Sequence, residues 1–306
     1  MTAKIEFKAM GCQNMAVLDA PAPRARPKLQ HVPEWFEAWE QSLSRFRESS
    51  ELSQLNRSGG DPVQVSQTLW SVLQLALRAE EQSHGLVTPA VLDALERAGY
   101  DRSFDTLQDG TNGRPQAGVA AVIDLSRLET EPTTRTVRLP AGLRLDFGGV
   151  AKGWAAQQAM QRLSPYGPAL VDAGGDIAIS GLQSGGQPWP VGVADPFEPE
   201  EDVAVLNLGR CGVATSGTDY RRWKKDGVWQ HHIIDPRTGL PATSDVLSAT
   251  VVAPTVVEAE LAAKIVLISG SQAGMQWLEA RPSYAGLLVL ADRQRLFSSK
   301  MNQYVD

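Results

Sequence analysis

Near the middle of the chain the sequence is Asp146-Phe147-Gly148-Gly149-Val150-Ala151-Lys152-Gly153. We predict a strand over Leu143 to Phe147 and a helix from Gly149 to about Leu163. Paired glycines let a backbone approach a ligand closely, and the free N–H groups at the start of a helix attract anions. Lys152 adds a positive charge one turn into the helix. The stretch is therefore either a phosphate-binding turn or a tight turn followed by a surface lysine.

The glycine spacing of this stretch excludes two common nucleotide-binding motifs. Neither the Walker spacing G-x-x-x-x-G-K-[ST] nor the dinucleotide spacing G-x-G-x-x-G occurs between Asp146 and Gly153. If the stretch binds a phosphate, it therefore does so outside those two classes.

Two further polar turns lie downstream. Val171-Asp172-Ala173-Gly174-Gly175-Asp176-Ile177 is predicted to be a strand interrupted by paired glycines, which mark a bulge or a close backbone contact. His231-His232-Ile233-Ile234-Asp235-Pro236-Arg237-Thr238-Gly239 follows a strand predicted around Trp229. His232 lies three residues before Asp235, and two interpretations stay open. Either the carboxylate orients the imidazole for acid–base chemistry, or the pair is structural.

The rest of the chain alternates short strands with a few helices. Lys4 to Met10 and Met15 to Leu18 predict a hairpin, and Pro21 to Pro27 predicts a polar loop. Helices are predicted after Pro33 (with Phe46 in its apolar stripe), over Thr68 to Ser83, after Pro89, and near Glu258 and Met275. Further strands are predicted over Val119 to Leu125 and Thr134 to Leu139, and around Ala169, Val191, Val205 and Ala249. Because most strands return through short Gly, Pro and Asn connections, the pattern predicts an α+β fold.

The composition narrows the classes of function. The 306 residues carry a net charge of −6, with 42% hydrophobic and 21% charged residues, which is typical of a globular protein without a nucleic-acid-binding surface. No apolar run approaches the ~18 residues of a membrane span, and the first ten residues lack the apolar stretch of a signal peptide. We therefore expect a cytoplasmic protein. The two cysteines, Cys12 and Cys211, form no C-x-x-C pair and predict neither a thiolate zinc site nor a disulfide framework.

Six short motifs occur in one order along nearly the whole chain. They are Met10-Gly11, the stretch Leu43-Ser44-Arg45-Phe46-Arg47-Glu48-Ser49-Ser50-Glu51-Leu52-Ser53-Gln54-Leu55-Asn56, the stretch Asp146 to Gly153, Gly174-Gly175-Asp176, Ser216-Gly217, and His232 to Gly239. In this order they resemble the motifs of the FAD:protein FMN transferase family, also called the ApbE family. Each motif alone is weak evidence for the family, whereas six motifs in the same order are specific to it.

The resemblance implies both a fold and a reaction. The implied fold is a single α+β domain over residues 1–306, made of two intertwined α/β lobes with FAD in the cleft between them. The implied reaction is phosphoryl transfer: a Thr or Ser hydroxyl of an acceptor flavoprotein attacks the FMN phosphorus of FAD, and AMP leaves. The implied partners are FAD and the acceptor flavoprotein, with no nucleic acid and no membrane span. Members of the family are commonly exported, unlike the cytoplasmic location expected from this N-terminus.

The resemblance also assigns candidate site residues by position. The residues expected to contact FAD are Met10, Phe46, Leu86, Val87, Thr88, Asp146, Lys152 and Ile233. Thr88 replaces an acidic residue of the family's loop. His232 is expected to accept the proton or to orient the group that does, held by Asp235. Lys152 and Lys264 are expected to steady the phosphates.

The family's magnesium site is altered in this sequence. The resemblance places its ligands at the carbonyl of Gly149 and at an Asp and a Thr on a late helix, where this chain has Glu260 and Lys264. A hard divalent ion needs oxygen ligands, and an ammonium group supplies none. Mg²⁺ binding is therefore doubtful, and two interpretations of Lys264 stay open. Either its charge replaces part of the ion's charge, or Glu260 and Lys264 form an ordinary i,i+4 ion pair.

Two alternative functions follow from the same motifs. Water in place of the acceptor hydroxyl would make the protein an FAD pyrophosphatase that yields FMN and AMP. Loss of the metal site would leave a non-catalytic FAD-binding protein. The products formed from FAD distinguish the three.

Overall fold

The computed structural model describes residues 2–107 and 125–305. Their α-helices are α1 Ala22–Leu29, α2 Val32–Leu43, α3 Glu51–Asn56, α4 Gln67–Gln82, α5 Leu92–Arg97, α6 Ala151–Leu163, α7 Val256–Ser269 and α8 Ser271–Glu279. Their strands are β1 Thr2–Ala9, β2 Cys12–Asp19, β3 Val63–Gln64, β4 Glu129–Glu131, β5 Thr136–Arg138, β6 Ala169–Ala173, β7 Ile177–Ile179, β8 Trp189–Ala194, β9 Asp202–Leu208, β10 Cys211–Gly217, β11 Arg222–Lys225, β12 Val228–His231, β13 Ile234–Asp235, β14 Leu240–Pro241, β15 Val246–Ala253, β16 Ala285–Leu290 and β17 Arg295–Phe297. Short 3₁₀ turns lie at Phe104–Thr106, Leu125–Arg127, Ser164–Tyr166 and Met301–Gln303.

The chain forms two compact units whose segments alternate along the sequence. The first unit contains Met1–Phe36, Lys152–Tyr220 and Ser244–Asp306. The second unit contains Glu37–Ala151 and Arg221–Thr243. The chain therefore leaves the first unit twice and returns to it twice.

An eight-stranded sheet forms the first unit. Its strand order is β1-β2-β6-β7-β10-β15-β16-β17, and every neighbouring pair is antiparallel. The β1–β2 hairpin has the two-residue turn Met10-Gly11, in which both residues have positive φ, 52° and 67°. This combination is typical of the type I′ turns that fit the twist of a hairpin.

Strand β10 shows how the two faces of the sheet are covered. Cys211 and Val213 belong to an apolar core shared with the β8–β9 hairpin, whereas Ala214 packs on the opposite face against Ala259 of α7. Gly212 lies on that face, and a Cβ there would overlap the backbone of Thr255 and Val256 at the start of α7. The glycine therefore permits the close approach that fixes α7 on the sheet.

The second unit combines helices α3 to α5 with short strands. Its small sheet has the order β3-β5-β4, and β11–β12 and β13–β14 are separate two-stranded pairs. Trp223 is fully buried in a core with Tyr100, Leu95 and Ile234, and its Nε1 donates to the carbonyl of Ala98 at 2.8 Å. This indole links β11 to the end of α5.

Four local predictions are wrong. Pro21 to Pro27 is not a loop but overlaps α1. Pro23 lies in the first turn, where the N–H that proline lacks has no partner, and Pro27 lies inside the helix. Phe46 lies beyond α2, which ends at Leu43. Residues 143–147 form no strand, and the helix that follows begins at Ala151 rather than at Gly149.

The fourth wrong prediction concerns the paired glycines 174 and 175. They do not interrupt one strand but form the turn between β6 and β7, where the N–H of Ala173 donates to the carbonyl of Asp176 at 3.0 Å. Gly174 and Gly175 have φ values of 66° and 91°, which an L-residue rarely adopts. The strand predicted over Val119 to Leu125 lies outside the described residues, apart from Leu125.

Candidate active site

The stretch from Asp146 to Gly153 is held by side-chain contacts instead of strand pairing. The backbone N–H of Leu145 donates to Oδ1 of Asn56 at 2.7 Å, and its carbonyl accepts from Nδ2 of the same asparagine at 2.9 Å. The N–H of Asp146 donates to the carbonyl of Pro89 at 2.9 Å. Because these backbone groups bind Asn56 and Pro89, no neighbouring strand pairs with them.

The carboxylate of Asp146 has a bonding partner on each oxygen. Oδ1 accepts the N–H of Gly148 at 2.8 Å, which shapes the turn before α6. Oδ2 lies 2.8 Å from Nε of Arg45, in an ion pair with both side chains largely buried. The paired charges stabilise each other where little water reaches them.

Arg45 brings Asp146 together with an aromatic group. Its guanidinium carbon lies 4.1 Å from the ring centre of Phe46 and 4.6 Å from that of Tyr100. The two rings are 5.5 Å apart, centre to centre. Phe46 is 40% exposed, whereas Tyr100 is buried. Phe46 therefore has ring surface available for a flat ligand, supported from within by a cation.

The loop from Leu86 to Thr88 follows α4 and leads into Pro89. The hydroxyl of Ser83 accepts the N–H of Val87 at 2.9 Å, and Oγ1 of Thr88 accepts the N–H of Ala90 at 3.3 Å. Val87 and Thr88 are buried, and Leu86 is half-buried. Since Pro89 also binds the backbone of Asp146, this loop and the Asp146 turn belong to one hydrogen-bonded group within the second unit.

A cluster of four buried charges lies in the first unit, and we call it the charge cluster: Lys152, Asp176, Glu260 and Lys264. Nζ of Lys152 forms an ion pair with Oδ2 of Asp176 and lies 3.8 Å from Oε1 of Glu260. Nζ of Lys264 lies 3.1 Å from the same Oε1. The exposed fractions of the side chains are 17% for Lys152, 13% for Lys264 and 2% for Glu260. Lys152 is therefore not a surface lysine.

Helices α6 and α7 meet at this cluster. The N–H of Gly153 donates to Oε2 of Glu260 at 3.2 Å, and a Cβ on Gly153 would come within 2.5 Å of that oxygen. The second glycine of the Lys152-Gly153 pair thus leaves room for a carboxylate from α7. Glu260 binds two ammonium groups and a backbone N–H at once.

The charges shift one another's protonation. Burial by itself lowers the pKa of Lys152, but the carboxylates of Asp176 and Glu260 outweigh it and raise that pKa. Burial raises the pKa of Glu260, against the opposing effect of Lys264. Nearby Asp172 has its pKa raised to about 6, mainly by burial. Lys152 therefore stays charged at neutral pH, while Glu260 holds a proton more tightly than an ordinary glutamate.

These residues do not fit a magnesium ion. Glu260 offers carboxylate oxygens, but Lys152 and Lys264 already occupy the space around it with two positive charges. A divalent cation would meet repulsion from both ammonium groups and would find no oxygen ligand at Lys264. Among residues 2–107 and 125–305, no group of three or more His, Cys, Asp or Glu side chains is placed to hold a metal.

In the turn from His231 to Gly239, His231 and Asp235 each have defined hydrogen-bond partners. Nε2 of His231 donates to the carbonyl of Ala242 at 3.0 Å, and its Nδ1 accepts the N–H of Ile233 at 3.3 Å. Ile233 is buried. The carboxylate of Asp235 binds the side chain of Arg237 at 2.8 Å and its backbone N–H at 2.9 Å. The sequence reasoning did not name Arg237 as a partner of Asp235.

The chain is similar in sequence and in structure to several proteins of one kind. Residues 2–288 match the model of the ApbE family. An FAD:protein FMN transferase of Treponema pallidum is 32% identical over 298 residues, which cover 92% of this chain and 82% of that protein. One of Vibrio cholerae is 30% identical over 82% of this chain and 75% of that protein. The crystal structure of the ApbE protein of Thermotoga maritima superposes with a TM-score of 0.87 at 25% identity, over 100% of both chains.

This chain belongs to the ApbE family. The α+β prediction is confirmed by the same superposition. No helix in the described part of the chain is both long and apolar enough to cross a bilayer.

Among the candidate site residues of this ApbE family member, the structure brings together two sets. One is the second-unit group of Phe46, Asp146 and the Leu86-to-Thr88 loop; the other is the charge cluster of the first unit. Met10 lies in the β1–β2 turn. Sequence reasoning missed Arg45 and the role of Asp176 as the partner of Lys152. The quoted motifs contain both residues, but nothing in the motifs shows which side chain each of them contacts.

Proposed function

We propose that this chain is an FAD:protein FMN transferase, which moves the FMN part of FAD to a Thr or Ser hydroxyl of an acceptor flavoprotein. The observation that carries the proposal is the family match over residues 2–288, together with relatives of that name that align with most of the chain. The proposal treats residues 1–306 as one working domain.

The proposed reaction exchanges one phosphorus–oxygen bond for another. The acceptor hydroxyl oxygen bonds to the phosphorus on the flavin side, and the bond from that phosphorus to the bridging oxygen breaks. AMP leaves with the electron pair, and the hydroxyl proton passes to a base. Such transfers depend on positioning and on neutralising charge more than on covalent help from the enzyme.

The proposed roles follow the two sets of residues. Phe46 binds the flavin ring, and Met10, Ile233, Asp146 and the Leu86-to-Thr88 loop complete the FAD contacts. His232 accepts the proton or orients the group that does. Because the carboxylate of Asp235 accepts four hydrogen bonds from the side chain and backbone of Arg237, we propose that Asp235 fixes the turn that carries His232.

In this proposal the positive charges of Lys152 and Lys264 replace the charge of a divalent cation. Lys152 and Lys264 each have three N–H donors, of which the described carboxylates use only some. The four ionised side chains have a net charge of 0, and because the pKa of Glu260 is raised, its protonation as the pH falls takes that charge to +1. The remaining donors and this charge suit the pyrophosphate of FAD without Mg²⁺.

One incubation tests the proposal against its rivals. The purified protein is mixed with FAD and an acceptor flavoprotein, and the products are separated. The proposal expects AMP together with flavin that stays on the acceptor after denaturation. Free FMN with AMP, in the absence of linked flavin, would establish an FAD pyrophosphatase. Bound FAD with no product would establish a non-catalytic binding protein.

A further inference from the structure

Arg45 lies inside the aromatic group of the second unit. Its side chain is 5% exposed and has Phe46 and Tyr100 within 4.6 Å of the guanidinium carbon. Tyr100 in turn lies 5.2 Å, centre to centre, from the buried indole of Trp223. The two rings and the ion pair with Asp146 stabilise the guanidinium in this orientation.

One nitrogen of this guanidinium has no described partner. Nε of Arg45 bonds to Asp146, whereas Nη2 is buried and has no hydrogen-bond acceptor among residues 2–107 and 125–305. A buried charged donor without an acceptor is costly, and each such group in a native protein needs an explanation, such as strain, a functional role, or a bound water or ion. An oxygen supplied by a ligand would satisfy it.

We infer that Arg45 is a positioning residue for the flavin ring: its guanidinium supports Phe46, and its Nη2 donates to a carbonyl oxygen of the ring that stacks on Phe46. This inference rests on the proposed function. Because Nη2 is buried, this role requires that ligand binding shift the ring of Phe46, the exposed member of the group, so that Nη2 is uncovered. Asp146 contributes by fixing Nε, so that the donor direction of Nη2 is set before the ligand arrives.

The chemistry of FAD makes the inference specific to one half of the ligand. The flavin ring carries two carbonyl oxygens next to an aromatic face, which match a donor beside an exposed phenyl ring. The adenine ring has no carbonyl. Arg45 should therefore contribute to the affinity for riboflavin and for FAD but not to the affinity for ADP.

Dissociation constants for FAD, riboflavin and ADP test this in three variants. Arg45→Met removes the cation and keeps much of the volume, and we expect about tenfold or greater weakening for FAD and riboflavin, with ADP unchanged within about twofold. Arg45→Lys keeps a charge beside Asp146 but lacks Nη2, and we expect several-fold weakening for riboflavin. The matched control is Arg47→Met, because Arg47 pairs with Glu37 and Glu40 at the surface. It should leave all three constants unchanged.

Three results would overturn the inference. The first is an Arg45→Lys variant that binds riboflavin as tightly as the unaltered protein. The second is an Arg45→Met variant whose affinity for ADP falls as much as its affinity for riboflavin. The third is an unaltered protein that does not bind riboflavin. Thermal unfolding of each variant shows whether it folds. Failure of the proposed transferase activity is a separate result, because riboflavin affinity is measured without turnover.

Discussion

Replacing the adjacent residues His231 and His232 should have different effects: a loss of stability at His231 and a loss of turnover at His232. Both ring nitrogens of His231 bond to backbone groups, and burial lowers its pKa despite the opposing bond to Ala242. His231→Ala should therefore lower the melting temperature. His232→Ala should leave the FAD dissociation constant within a few-fold and lower turnover by ~10²–10⁴. Calorimetry and AMP release measure the two effects. A His232→Ala variant with unaltered turnover would assign the base to another residue.

Asp172 makes stability depend on pH. Burial raises its pKa to about 6, against the N–H of Gly175, which donates to it at 2.7 Å. The pKa of Asp172 in the folded state exceeds the ordinary value of 3.8. The contribution of protonated Asp172 to the free energy of unfolding is therefore complete below about pH 4 and is lost as the pH rises through 6. Asp172→Asn should therefore be more stable than the unaltered protein at pH 8, by about 1–3 kcal/mol, with a smaller gain at pH 5.

Urea unfolding at pH 5 and pH 8 measures this difference. Asn keeps an oxygen for the N–H of Gly175, so the turn before β7 is preserved. Other titrating groups affect both proteins alike and cancel in the comparison. A stability difference that is the same at both pH values would show that Asp172 does not titrate between them.

The sequence identifies some site residues but not their contacts. The i,i+4 spacing predicts that Glu260 and Lys264 meet, and they do. The pairing of Lys152 with Asp176 joins residues 24 positions apart, across a helix and a hairpin turn. Burial of all four side chains depends on how α6 and α7 pack, which no spacing rule contains. That packing is also why Lys152 cannot be recognised as buried from its motif.

At the scale of elements, Gly212 controls the position of the helix that carries Glu260 and Lys264. An alanine there would overlap the backbone of Thr255 and Val256, so Gly212→Ala should lower the free energy of unfolding by about 1–3 kcal/mol or more. It should also weaken FAD binding, because α7 moves. The control is Gly181→Ala, whose Cβ would meet nothing within 4 Å. It should change neither the free energy of unfolding nor the affinity for FAD. Urea unfolding and FAD titration measure both variants. Equal stability of the two would contradict the proposed packing role.

Elements with strong periodic patterns were predicted well, and the exceptions have local causes. The pattern predicts a helix over Thr68 to Ser83, and α4 covers Gln67–Gln82. Residues 143–147 have a strand-like pattern but form no strand, because Asn56 occupies the backbone groups of Leu145. A side chain 89 residues away is invisible to a local pattern. The loop predicted over Pro21 to Pro27 is wrong because the first turn of a helix tolerates proline, as at Pro23.

At the scale of the whole molecule, the chain alternates between its two units, and local patterns do not contain that arrangement. The hairpins predict the α+β class, but the long-range order of the eight-stranded sheet requires β2 to pair with β6, about 150 residues further on. Only the resemblance to a known family implied intertwined lobes. A ligand that binds the folded chain alone stabilises the whole molecule, and that stabilisation is measurable without knowing the acceptor.

Thermal unfolding with FAD therefore tests whether the charge cluster replaces a metal. FAD at about 100 times its dissociation constant should stabilise the protein by ~2.7 kcal/mol, a rise of several degrees in melting temperature. We expect the same rise in EDTA and in Mg²⁺. A single ammonium–phosphate contact at ~4 Å has a Coulomb scale of ~4 kcal/mol at an effective dielectric constant near 20, and a quarter of that is several-fold in affinity. Lys264→Met should therefore reduce the rise, whereas Lys4→Met, at an exposed pair with Glu6, should not.

The reverse substitution sharpens this test. Lys264→Thr combined with Glu260→Asp restores oxygen ligands at both positions and removes one ammonium group, so the rise with FAD should become larger in Mg²⁺ than in EDTA. Isothermal titration with Mg²⁺ alone should then detect binding to the double variant and none to the unaltered chain. A rise that depends on Mg²⁺ in the unaltered protein, or a Lys264→Met variant with full affinity in EDTA, would show that Lys264 does not take the place of the ion. Glu260 and Lys264 would then be an ordinary ion pair.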